Sequence, residues 1–171
     1  MQASSDGRRL LVIGVGNTLR GDDGVGVRVA QALAERLLPQ DVTVLDGGTA
    51  GLDLIFHLEG ADRVILIDAA NMGRPPGEAK VFETDRLAVV EDVGFSSTHG
   101  FGIAEVLALG RSVGIDPHVT VVGIQPEDAS LRDGLSEALA SRMPEYVRLV
   151  EGMTLLDREN AASLTGGQRS D

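Results

Sequence analysis

Five positions carry side chains that can do chemistry together. Asp22 and Asp23 follow the glycine-rich turn Gly14-Val15-Gly16, Asp46 and Asp68 each end a short apolar run, and His99 follows Ser96-Ser97-Thr98. All fall at the ends of expected strands or the start of an expected helix, the edge at which open α/β sheets bind ligands. At a helix N-terminus the dipole disfavours imidazolium, so His99 is expected as the neutral ring that can coordinate a metal. Asp23, Asp68 and His99 would then supply two oxygens and one nitrogen and leave positions open for water or substrate, as catalytic metal sites do. Such a set suits Ni(II), Zn(II) or Mn(II) without choosing among them. A single Asp here would be read as helix-dipole stabilisation, but two adjacent ones inside a glycine cage suggest a ligand.

The same residues admit other uses. The turn Gly14 to Gly26 invites comparison with a dinucleotide fingerprint, yet Leu19 stands where the third glycine belongs and the paired acids would repel a pyrophosphate. Asp46 does mimic a ribose-binding acid, so a Rossmann-like nucleotide module stays as an alternative. Asp53 and His57 are four apart on an expected helix and read as a solvated pair. His118 follows Pro117 at the start of the last strand, at the end of the sheet away from the crevice. Ser96, Ser97 and Thr98 lack a G-x-S-x-G elbow, so serine hydrolase chemistry is not indicated.

The elements that must position these residues follow a β-α-β rhythm. Leu10–Val15, Arg63–Ile67 and Val119–Ile124 are continuous apolar runs, the pattern of parallel strands covered on both faces. Val42–Leu45 is a shorter strand. Val25, Val29, Leu33 and Leu37 recur at helical spacing up to Pro39, and further helices are expected over Leu52–Glu59, Gly100–Arg111 and Leu131–Glu151, the last broken near Pro144. Glu78–Glu83 follows a loop too short for a crossover helix, so it suits an antiparallel edge and a mixed sheet. The expected organisation is a flexible stretch over 1–9, one domain over 10–156 and a flexible tail over 157–171.

Composition narrows the function. With 171 residues the chain makes one domain, and its net charge of −11 opposes attraction to nucleic acid or anionic membrane. Cysteine is absent, which removes disulfides, thiolate zinc sites, iron–sulfur clusters and cysteine nucleophiles. The apolar run after Arg9 is too short for a signal segment or a membrane span, so a soluble, cytoplasmic protein is expected.

In order and spacing, GVGNTLRGDDGVG over Gly14–Gly26, DGGT over Asp46–Thr49, Ile67-Asp68-Ala69, and Ser97-Thr98-His99 with Gly102–Leu107 resemble the nickel-iron hydrogenase maturation proteases. The resemblance runs from about residue 10 to about 150. It implies a three-layer α/β/α sandwich (phosphorylase/hydrolase-like) with a mixed, mostly parallel five-stranded sheet and one antiparallel strand. It further implies an endopeptidase, aspartyl-type or metal-dependent, that removes a C-terminal extension from the nickel-loaded hydrogenase large-subunit precursor. Asp23, Asp68 and His99 match the family's metal-contacting residues, and Asp46, Gly47, Gly48, Thr49 and Asn17 become substrate-binding candidates. The nickel would be supplied by the substrate, with no organic cofactor, and the partner would be the precursor, with no nucleic acid or membrane. A noncatalytic nickel carrier on the same fold is the other reading.

Overall fold

The computed structural model describes residues 9–49, 51, 53–83, 96–97 and 103–165, with backbone alone at 96–97, 103–105 and 157–165. Strand β1 (Leu10–Val15) is buried along its whole length. It lies between β2 (Val42–Gly48) and β3 (Arg63–Asn71), parallel to both. β6 (His118–Ile124) continues the parallel sheet beyond β3, and β4 (Ala79–Glu83) closes it antiparallel to β6. The order β2-β1-β3-β6-β4 is the mixed five-stranded sheet expected, with its antiparallel strand at the edge. A two-residue strand, β5 (Ser96–Ser97), pairs antiparallel with Ala70–Asn71 and was not foreseen.

Alternation along the central strands divides the apolar residues between two cores. Leu10, Val12, Ile65, Ile67, Val122 and Ile124 face one layer, with Val25, Val29 and Leu33 of α1 (Val25–Ala34) and Tyr146, Val147 and Val150 of the last helix. Leu11, Ile13, Val64, Leu66, Val119 and Val121 face the other, with Leu54 and Leu58 of α2 (Leu54–Leu58) and Val106 and Leu107 of α3 (Ile103–Ser112). This is the α/β/α sandwich.

Several boundaries differ from expectation. β2 and β3 run three and four residues further, through Gly48 and Asn71, because ladder pairing carries them past the apolar runs. α1 stops at Ala34 although apolar spacing continues to Leu37, whose side chain is fully exposed. The helix expected from Leu131 begins only with α4 (Glu137–Ala140), since Arg132 and Ser136 are hydrogen-bonded into the first turn. The break precedes Pro144, which sits in the first turn of α5 (Met143–Thr165), where a missing N–H leaves no helical bond unmade. α5 also carries helical backbone through Thr165, beyond the point where a tail was expected.

Candidate active site

The sheet reverses its winding between β1 and β3. From β1 the chain passes to β2 on one side, then returns to β3 on the other. The crevice outside such a switch point is where open α/β sheets bind ligands, and both expected acids lie there. Asp23 belongs to the 3-10 turn Gly21–Gly24 that follows β1, and Asp68 lies on β3 just past Ile67, the residue paired with Gly14. The turn packs against β3, and the two carboxylates are 2% and 0% exposed.

The glycines of the first motif make that approach possible. A Cβ on Gly26 would overlap the carbonyl oxygens of Ile67 and Val15, so only glycine lets the start of α1 sit directly on the ends of β1 and β3. Gly16 has φ 138°, and a Cβ there would overlap the Asp23 carbonyl oxygen. These spaces are filled by the protein's own backbone, so the glycines serve the close packing of the turn and of α1 on the strand ends.

The paired acids have separate jobs. Asp22 is 0% exposed, and its carboxylate accepts backbone N–H bonds from Glu127 (2.9 Å), Asp128 (3.0 Å) and Ser136 (2.7 Å). It ties the first turn to the loop after β6. In that loop, backbone and side-chain hydrogen bonds from Ser130 hold the Asp128 carboxyl below the usual range. Asp23 instead accepts the Asn17 N–H at 3.1 Å. Asn17 shapes the loop, because its side-chain oxygen accepts the Leu19 N–H (3.0 Å) and its carbonyl accepts that of Arg20 (3.0 Å).

The Asp46–Thr49 segment is knitted to the same turn. Val15 pairs with Gly48 across a register shift, and Gly16 N–H donates to the Gly48 carbonyl at 2.8 Å. Asp46, exposed, accepts from Gln31 Nε2 (2.9 Å) and the Gly48 N–H (3.0 Å). Gly47 is buried against Ile13, Gly48 takes φ 50°, and Thr49 is exposed.

His99 lies outside the described residues. Among the described residues no group of three His, Cys, Asp or Glu side chains could hold a metal ion. Asp53 and His57 are exposed, as expected of a solvated pair, and His118 sits at the start of β6 with its Nε2 3.5 Å from Glu83. Gln125, just after β6, was missed. It is 7% exposed, and its side-chain oxygen accepts the N–H groups of Met72 (2.7 Å) and Arg74 (3.2 Å) while its amide donates to Asn71 (3.3 Å). The only signal in the sequence is a polar residue between a buried run and Pro126.

A family model described as hydrogenase maturation protease (HycI) matches residues 27–153. The hydrogenase expression/formation protein HupD of Bradyrhizobium diazoefficiens is 40% identical over 130 residues, 75% of this chain and 68% of that one. The hydrogenase 2 maturation protease of Escherichia coli K12 is 37% identical over 131 residues, 75% of this chain and 79% of that one. Alignments with four other HupD, HoxM and HupM relatives cover 58% to 62% of their lengths, so the chain spans about three fifths of those proteins. Among solved structures, the hydrogenase maturating endopeptidase HybD from E. coli superposes with a TM-score of 0.74 at 34% identity, covering 83% of this chain and 89% of that one.

Proposed function

The chain belongs to the hydrogenase maturation protease family, a family of endopeptidases, and on that premise we propose that it removes the C-terminal extension of a hydrogenase large-subunit precursor after nickel has been inserted. The observation that carries this reading is the convergence of two buried carboxylates, Asp23 and Asp68, at the switch point of the sheet. Carboxylates can give oxygen ligands to a cation, and the substrate's nickel is the cation this reading brings there. His99 completes the proposed set.

The net reaction breaks one peptide C–N bond. Water gives its hydroxyl to the carbonyl carbon and its proton to the departing amine, and in this reading Asp23 or Asp68 would take the proton in transit. Bound nickel would supply positive charge that polarises the scissile carbonyl or docks the loaded precursor. Because the substrate brings the metal, cleavage reports on metal insertion. Asn17, in the loop before the Asp23 turn, and Asp46, Gly47, Gly48 and Thr49, joined to that loop through the Gly16–Gly48 bond, are the proposed substrate contacts. The protein is proposed to act in the cytoplasm. Among the described residues no helix is long and apolar enough to cross a membrane.

Mass spectrometry of nickel-loaded and nickel-free precursor, incubated with the wild-type protein and with Asp23→Asn, Asp68→Asn and His99→Ala, tests the proposal. One nickel-dependent cut near the precursor C-terminus, lost in all three folded variants, is expected. Cleavage of nickel-free precursor would discard recognition through the metal, and unchanged cleavage by the variants would sink the site.

A further inference from the structure

Two leucines stand exposed beside the crevice without a role in the fold. Leu19 is 66% exposed and Leu131 86% exposed. Leu19 lies in the turn after β1 and Leu131 in the loop after β6, both at the ligand-binding end of the sheet. An isolated parallel bridge joins Arg20 to Arg132, with Arg132 N–H on the Leu19 carbonyl (3.0 Å) and Gly21 N–H on the Arg132 carbonyl (2.9 Å). The bridge brings the backbones at Leu19 and Leu131 next to each other, and both side chains are exposed.

The leucines are held out by their backbone. Asn17 accepts the Leu19 N–H, Arg20 Nε donates to the Ala129 carbonyl at 3.2 Å, and the Asp22 carboxylate clamps the two loops together. Two of the nearby arginines are ion-paired, Arg28 with Asp133 at 2.8 Å and Arg132 with Asp128 at 3.5 Å, and Arg20 is tied by its Nε to the Ala129 carbonyl. What this surface offers a partner is therefore apolar contact on a preorganised frame.

We propose that Leu19 and Leu131 form an apolar ledge that grips a hydrophobic side chain of the polypeptide substrate as it enters the crevice. The inference rests on the endopeptidase reading above. Continuity with the site selects this occupant: Leu19 lies in the loop that runs from β1 into the Asp23 turn, where the Asp23 N–H donates to the Arg20 carbonyl at 3.1 Å, so the ledge adjoins the residues that the endopeptidase reading gives to the substrate. A pair of side chains in a chain of net charge −11 is a poor membrane anchor.

The test compares Leu19→Ala and Leu131→Ala with Leu37→Ala, a fully exposed leucine beyond the far end of α1. Processing of loaded precursor by the full chain is followed over a range of precursor concentrations, beside thermal unfolding. Each ledge variant is expected to raise KM about tenfold with kcat and Tm unchanged, the mark of binding lost equally from ground and transition states. Leu37→Ala should change neither constant. An unchanged KM in both ledge variants, or a change that Leu37→Ala shares, would overturn the ledge while leaving the protease intact. A wild-type dimer in sedimentation that the ledge substitutions dissolve would assign the surface to a second copy instead. Wild-type protein that does not cut the precursor would bring down the endopeptidase reading, and the ledge with it.

Discussion

Replacing Asp22 by Ala should unfold the protein far more readily than its place in a loop suggests. The carboxylate serves three backbone N–H groups, from Glu127, Asp128 and Ser136. A hydrogen bond to a charged group contributes about 1.5–3 kcal/mol net, and a buried donor left without a partner loses its full solvation. Water can replace the acceptor at Glu127, which is exposed, and partly at Asp128, which is half-buried; it cannot at Ser136, which is buried. The Ser136 bond then counts in full and the other two in part, for a total loss of about 4 kcal/mol. In a chain of this size that lowers Tm by roughly 10 °C. Asp22→Asn keeps one acceptor oxygen but turns an NH2 group toward the remaining donors, so about half the loss is expected. Urea unfolding followed by circular dichroism measures both, provided the slope with denaturant is unchanged. A loss under about 1 kcal/mol for Asp22→Ala would refute the clamp, since the surface-substitution range would then cover it.

The single tyrosine, in a chain without tryptophan, allows a clean pH test. Tyr146 is 0% exposed, donates to the Gly77 carbonyl at 2.7 Å, and burial pushes its pKa up to about 12. The folded state therefore holds the phenolic proton more tightly than the unfolded state. Stability from this group is intact below pH 10 and falls by up to about 1.4 kcal/mol per pH unit between 10 and 12. Ultraviolet titration should show tyrosinate appearing near pH 12 or on unfolding, and a midpoint near 10 with native circular dichroism would contradict the burial. Two glycines of similar helical setting should respond oppositely to alanine. Gly26→Ala forces α1 off the sheet, at a loss of about 3 kcal/mol or more, whereas Gly152→Ala, with nothing within 4 Å of the new Cβ, should gain roughly 0.5–1 kcal/mol. Denaturation midpoints decide, and equal effects would contradict the close approach of α1 to β3.

Patterns confined to a few consecutive residues were legible without coordinates. The runs Leu10–Val15, Arg63–Ile67 and Val119–Ile124 announce strands covered on both faces, because a parallel strand needs apolar side chains on each side of its pleat. The short connection before β4 identifies the antiparallel edge. From those strands follows the end of the sheet at which Asp23 and Asp68 must lie, since chain direction is set by sequence.

Tertiary structure alone decided what depends on partners far along the chain. Asp22 and Asp23 are chemically identical neighbours, and nothing local separates a clamp from the acid proposed for the site; the partners of Asp22 lie more than a hundred residues away. The same holds for Gln125, whose partners belong to the loop after β3, and for β5, whose two residues reveal no periodicity until paired with β3. Leu131 looked like the start of a helix because helical spacing is judged from side chains alone. Backbone hydrogen bonds to the Leu19–Gly21 turn outcompeted that spacing and left both leucines in solvent. Local pattern determines which faces are apolar, and long-range hydrogen bonding determines which polar groups remain available for chemistry.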